Sequence, residues 1–179
     1  MQSAITLAPL REDDREVFIQ ENQWAFLYGA TQEFGLRDGH FGEDGEIISR
    51  QTIEESIDAE DAEAYRILQG NEKVGGLVLQ IDAAQKRGEL LLLFVRPECH
   101  SKGIGFAAWQ AVEAMHPEID VWETCTPWFE KRNIHFYVNR CGFRIVEFFC
   151  SAHPAPEEEY DKPQEGPNEM FRFEKVIRR

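Results

Sequence analysis

The sequence predicts an α/β fold: a mostly antiparallel sheet with one central parallel strand pair and helices on both faces. Two observations predict it. Three β-prone segments, 63–69, 73–81 and 87–95, are separated only around Gly70-Asn71 and by 84–86, gaps short enough for hairpins, so they make an antiparallel meander. After the third, Ala108, Ala111, Val112 and Met115 recur at helical spacing over 103–116, ahead of another β-prone segment at 119–124. A helical crossover of that length lays 119–124 parallel to 87–95.

The remaining elements follow in chain order. Residues 5–10 read as a short first strand, and Asp13 and Glu16 have capping-box spacing for a helix running to about Phe34. On that helix Trp24, Leu27 and Tyr28 share a face, which reads as core. The glycine-rich stretch 35–46 is a polar loop, and 48–57 is a second short helix. Pro127 suits the first turn of a further helix that runs through Tyr137 to about Arg140, and Gly142 stops it. A strand at 143–149, an acidic, proline-bearing loop at 151–168 and a closing strand marked by Phe171, Phe173 and Ile177 complete the chain.

Composition narrows the functional classes. A chain of 179 residues, 42% apolar and 12% aromatic, fits one domain with a sizeable core, spanning 1–179. No apolar run approaches the roughly 18 residues of a membrane helix, and the N-terminus lacks a charged-then-apolar signal pattern, so a cytoplasmic protein without a membrane partner is expected. A net charge of −14 argues against nucleic acid, whose phosphates need basic faces. It suits a substrate that arrives as a cation, or it serves solubility alone. Cys99, Cys125, Cys141 and Cys150 show no C-x-x-C spacing and read as reduced thiols, and the five histidines show no metal-ligand spacing.

The chemistry concentrates between Glu89 and Met115. Ser101, Lys102, Gly103, Ile104 and Gly105 open the 103–116 helix, where unpaired backbone N–H groups and the positive end of the helix dipole attract anions. A P-loop is excluded, because the lysine precedes the glycines and no Ser or Thr follows them. Gly103, Gly105 and Ala108 satisfy the dinucleotide pattern G-x-G-x-x-G/A, with Glu123 twenty residues on. That pattern wants its first glycine directly after the strand, whereas seven residues, Arg96 to Lys102, intervene here. Dinucleotide binding stays as an alternative.

The run VRPECHSKGIG at 95–105 resembles the acetyl-CoA-binding motif of the GNAT N-acetyltransferase superfamily, R/Q-x-x-G-x-G/A after a strand ending in Val-x-Pro. FYVNRCGF at 136–143 resembles that family's Tyr-x-x-x-x-Gly-Phe, and the resemblance covers the chain from about residue 3 to its end. One position departs: His100 stands where the family carries Arg or Gln, and its ring can still donate to a pyrophosphate oxygen. The resemblance implies a GNAT-like acyl-CoA N-acyltransferase fold whose parallel strands splay at their C-terminal ends. Backbone groups near Phe94 and Val95 would then pair with the pantetheine amides of acetyl-CoA. Phosphate contacts are implied for His100, Ser101, Lys102, Gly103, Ile104, Gly105, Phe106 and Ala107. The acidic chain repels coenzyme A at long range, so local donors matter, Lys131 and Arg132 among the candidates. Asn133 is implied as a pantetheine contact, although the family's asparagine stands farther from the tyrosine, nearer Glu130. The first helix is implied to border the acceptor pocket. Family members often dimerise, and the final strand with Phe171 and Phe173 is either an interface edge of a homodimer or an internal strand.

Acetyl transfer to an amine sets three demands: the ammonium must lose a proton, the developing oxyanion needs a donor, and the leaving thiolate needs a proton. The resemblance places Tyr137 beside the cofactor sulfur, and a phenol of pKa about 10 can protonate a thiolate. A packed helix aromatic is the plain alternative. Glu89, six residues before Val95, matches a place where some members carry a catalytic glutamate, and reads equally as an edge residue near the strand start. Glu123 is a second base candidate, with a paired carboxylate as the favoured reading. The sequence thus predicts an acetyl-CoA-dependent N-acetyltransferase working by direct transfer in a ternary complex, without a metal. The alternative is a non-catalytic acyl-CoA-binding or sensing module. Small amines, amino acids, drug-like amines and peptide N-termini all stay open as acceptors.

Overall fold

In the computed structural model, which describes residues 4–33, 47–100, 102–156 and 169–177, seven strands make one sheet. They are β1 (Ile5–Pro9), β2 (Ala62–Gln69), β3 (Glu72–Asp82), β4 (Arg87–Val95), β5 (Val121–Pro127), β6 (Arg144–Phe149) and β7 (Met170–Val176). Their order is β1-β2-β3-β4-β5-β7-β6, and every neighbouring pair is antiparallel except β4–β5. The hairpin gaps account for the antiparallel β2–β3–β4 meander and the helical crossover for the parallel β4–β5 pair.

Helices α1 (Arg15–Tyr28) and α2 (Arg50–Asp58) cover one face of the sheet. There Phe18, Ile19, Ala25 and Ile53 pack on Val78, Leu92 and Phe94. Helix α3 (Ile104–Met115) and the short α4 (Lys131–His135), which continues as a wider π-type turn, Phe136–Arg140, cover the other face. Trp109 on α3 and Trp122 on β5 are fully buried there, edge to face at 5.2 Å, each worth on the order of 5 kcal/mol of transfer free energy. Trp122 fits only because its neighbour on β4 is Gly88, where a Cβ would stand 2.3 Å from the indole.

Strand β4 serves both cores through a bulge. Val78 pairs with Leu92 and Leu79 with Leu90, so Leu91 is an extra residue. Leu90 consequently packs with the α3 core, while Leu91, Leu92 and Phe94 face α1 and α2.

Several expectations change in detail. Asp13 does not cap α1: its carboxylate takes a bidentate pair from Arg11, and Glu16 takes one from Arg50. Its neighbour Asp14 is 8% exposed and accepts from Arg66, itself 2% exposed, anchoring α1 to β2. Trp24 is 54% exposed rather than core, because the inward stripe runs through Phe18, Ile19, Asn22 and Ala25. Pro127 ends β5 instead of opening a helix, pairing with Met170; a strand's last residue tolerates the missing N–H, and the helix starts at Lys131. The final strand β7 is internal, between β5 and β6, so the edge beside it is β6. Residues 34–46 and 157–168, most of the two expected loops, lie outside the described residues, as does Ser101.

Candidate active site

The parallel pair holds for three residues only: Arg87 with Val121, Gly88 with Trp122, and Glu89 with Glu123. Beyond them the hydroxyl of Thr124 donates to the carbonyl of Leu90 at 2.9 Å, and β5 goes on to pair with β7 through Pro127. Strands β4 and β5 therefore part after three residues of pairing, and a cleft of about 470 Å³ opens beside the C-terminal end of β4, lined there by Leu93, Phe94 and Val95. A volume in that range suits a small-molecule ligand.

One wall of the cleft is the start of α3. Gly103 adopts φ +73°, the left-handed region that glycine enters without the cost a side chain brings, and a Cβ there would meet no atom within 4 Å. The space over the helix N-terminus is thus open to a ligand, and Ile104, Gly105 and Phe106 continue the wall. His100 stands beside it. Its Nε2 lies 2.8 Å from the carbonyl of Val95, and its Nδ1 lies 3.0 Å from Nη1 of Arg132. A guanidinium only donates, so Nδ1 accepts and Nε2 carries the proton given to Val95. The edge of Tyr28 from α1 closes on the same ring at 5.9 Å.

The floor is Tyr137, 7% exposed and packed among Phe136, Phe143 and Phe173. Burial pushes its phenol well above the ordinary tyrosine range, against a smaller opposing effect from a hydrogen bond with Thr124. The group is a proton donor at working pH. Asn133, one turn before it, also lines the cleft and reaches Thr126 at 3.4 Å. Cys99 lines it too, and burial, with Glu98 beside it, raises the thiol, which disfavours a nucleophilic thiolate.

A model of the acetyltransferase (GNAT) family matches residues 19–143, more than half of the chain. The chain belongs to that family. It is 42% identical over 180 residues to the uncharacterized protein YrkN of Bacillus subtilis (strain 168), covering 98% of this chain and 95% of that one. Among solved structures it is similar to a spermidine N-acetyltransferase from Vibrio cholerae in complex with CoA and spermine, with a TM-score of 0.64 and 14% identity over 96% of this chain and 95% of that one. A Bacillus subtilis acetyltransferase in complex with CoA matches with a TM-score of 0.60 and 20% identity, over 97% and 98%. The seven-stranded mixed sheet is thus the GNAT fold.

Of the residues singled out from the sequence, Phe94, Val95, His100, Gly103, Ile104, Gly105, Phe106, Asn133 and Tyr137 line this one cleft. Lys102 is exposed at its edge, and Ala107 sits within the first turn of α3, its N–H bonded to Gly103. Neither is among the lining residues. Glu89 is also outside the lining: it pairs in register with Glu123, and since Gly88 and Leu90 face α3, Glu89 points to the opposite side of the sheet. Glu123 there is held by Arg87 at 2.9 Å and Arg172 at 2.6 Å, which favours its reading as a paired carboxylate. The carboxylate inside the cleft is Glu130, 5% exposed and close enough to Tyr137 to raise its phenol. In the sequence Glu130 stands out only as the position nearest the family's asparagine, and its offset from Tyr137 is the available signal. The contact between Arg132 and His100 joins residues 32 apart and had no signal in the sequence.

Proposed function

We propose that the protein is a cytoplasmic N-acetyltransferase that moves the acetyl group of acetyl-CoA to a primary amine of a small molecule or peptide, by direct transfer in a ternary complex. One observation carries the reading: an open glycine-bearing helix N-terminus and a buried, protonated Tyr137 face one cleft at the point where β4 and β5 part. The residues fit the group. Gly103 leaves the space over the helix dipole clear for phosphates, and the backbone of Leu93, Phe94 and Val95 borders the cleft on a strand edge that β5 does not cover. His100 already engages the Val95 carbonyl, so strand-like pairing with a pantetheine amide would use the neighbouring groups or the second lone pair of that oxygen.

Acetyl-CoA, when bound, supplies a thioester carbonyl open to attack by an amine. Tyr137 gives its proton to the departing sulfur as the carbon–sulfur bond breaks. A carboxylate takes the proton that the ammonium loses before attack; as the amide forms, the nitrogen gives up a second proton, which returns to the Tyr137 oxygen directly or through water. Glu89 is the proposed base, reached through water from the sheet face opposite α3, with Glu130, already inside the cleft, as its competitor. The CoA- and spermine-bound structure from Vibrio cholerae, together with the net charge of −14, supports a small cationic amine as the first acceptor to try. Calorimetric titration with acetyl-CoA, with CoA, NADH and ATP as comparisons, tests the cosubstrate without knowledge of the acceptor. Selective micromolar binding, about −8 kcal/mol, supports the reading, and absence of binding in folded protein ends it. Binding without turnover across a broad amine panel would turn the reading to an acyl-CoA-sensing module.

A further inference from the structure

We propose that Asn22 of α1 is a specificity-determining residue for the acceptor, and that it selects amines which also carry an uncharged amide or hydroxyl. The inference deepens the function proposed above and rests on it. Asn22 is fully buried, and neither its amide nitrogen nor its amide oxygen has a hydrogen-bond partner among the described residues. It is the one buried side chain there left with both a donor and an acceptor unused. The great majority of buried polar groups are paired, because an unpaired one gives up its hydrogen bonds to water and gains nothing in return. The surroundings do not call for an amide: Phe18, Ile19 and Ala25 on the same helix pack with Leu92 and Phe94 of β4. Leucine has the same branched shape and would fill the place without that loss.

The place of the residue supplies a reason. The inward stripe of α1 runs from Phe18, edge to face with Phe94 at 5.1 Å, through Asn22 to Ala25. Ala25, Phe26 and Phe94 line the cleft, so along the helix Asn22 stands one turn, about 5 Å, from residues that face it. Phe94 belongs to the stretch of β4 that β5 does not cover, where the thioester and the acceptor must meet. The apolar packing around Asn22 disfavours a charged partner. An amide or a hydroxyl carries no charge and satisfies both halves of Asn22, while the reacting amine of the same molecule stays in the cleft.

The test measures release of the CoA thiol from acetyl-CoA by the full chain and by Asn22→Leu, with three amines: alaninamide, 3-methyl-2-butylamine, which has the same branched shape without the amide, and spermine. Amine basicity is common to both proteins, so it cancels when the kcat/KM ratio of alaninamide to 3-methyl-2-butylamine is compared between them. That ratio is expected to fall about ten-fold or more in Asn22→Leu, through a higher KM for alaninamide, while acetyl-CoA affinity by calorimetry stays within about two-fold. The same substitution should raise Tm by about 2–4 °C, since an orphaned amide gives way to a side chain that needs no partner. Asn22→Ala, which cannot overpack the layer, should lose the preference as well. A ratio unchanged in both variants, or a lowered Tm in Asn22→Leu with the ratio unchanged, would make the amide structural and overturn the assignment. Turnover of spermine but not of alaninamide would overturn it too and leave the transferase standing. If the unaltered protein acetylates none of the three, the inference falls, and the acetyl-CoA titration decides separately whether the function falls with it.

Discussion

The two ends of β4 behave as opposites. At its start, Arg87, Gly88 and Glu89 are stitched to β5 by backbone pairing, with Trp122 pressed onto Gly88 on one face and Glu123 gripped by Arg87 and Arg172 on the other. At its end, from Leu91 to Val95, the strand pairs with β3 alone, and the space that β5 vacates is lined by Tyr137, Glu130, Arg132 and His100. Packing energy is concentrated where the strands touch and chemistry where they do not. The difference teaches that stability and function in this sheet are separable along a single strand, and substitutions can test the separation.

The largest effect should come from breaking the closed end. Trp122→Ala removes a fully buried indole and is expected to cost about 3–5 kcal/mol of stability, read as the shift of the denaturant midpoint. Whatever folded fraction remains should bind acetyl-CoA as before. At the open end Tyr137→Phe should do the reverse, lowering turnover about 100-fold or more while acetyl-CoA affinity stays within a few-fold. Unchanged turnover would take the phenol out of its acid role. Because burial raises that phenol, it stays protonated as pH climbs through the ordinary tyrosine value, so kcat in the unaltered protein should show no descending limb up to about pH 10. A fall in kcat between pH 8 and 10 that vanishes in Tyr137→Phe would refute the shift.

Smaller effects sharpen the boundary. Gly103→Ala places a side chain in the left-handed region and should cost about 1–2 kcal/mol, measured by thermal melt, with weaker acetyl-CoA binding as the loop relaxes. Glu123→Gln loosens two part-exposed ion pairs at the closed end and should change stability by about 1 kcal/mol or less, with the cleft untouched.

Much of the sheet was legible because hairpin gaps and the period of α3 are local signals: every strand from 63 to 95 lies within a residue or so of its expected bounds. The glycine loop and Tyr137 were legible as motifs, and they do share a cleft. What the sequence hid depends on contacts between distant residues. Trp24 looked like core because helical periodicity gives a stripe without saying which way it faces. Pro127 suited a helix start equally well as a strand end, and only its pairing with Met170 decides. Glu89 sits at the expected offset from Val95, yet the bulge and the register with Glu123 set which face it takes, and neither is written in a local pattern.

The bulge at Leu91 has a consequence for how sequences of this fold can vary in length. Because Leu91 is supernumerary, excising it alone would restore strict alternation while every other side chain from Leu90 to Val95 kept its present side. Such a deletion would leave both hydrophobic layers intact and remove only the local kink and added twist. The length of β4 can therefore change by one residue without exchanging the two hydrophobic layers of the sheet.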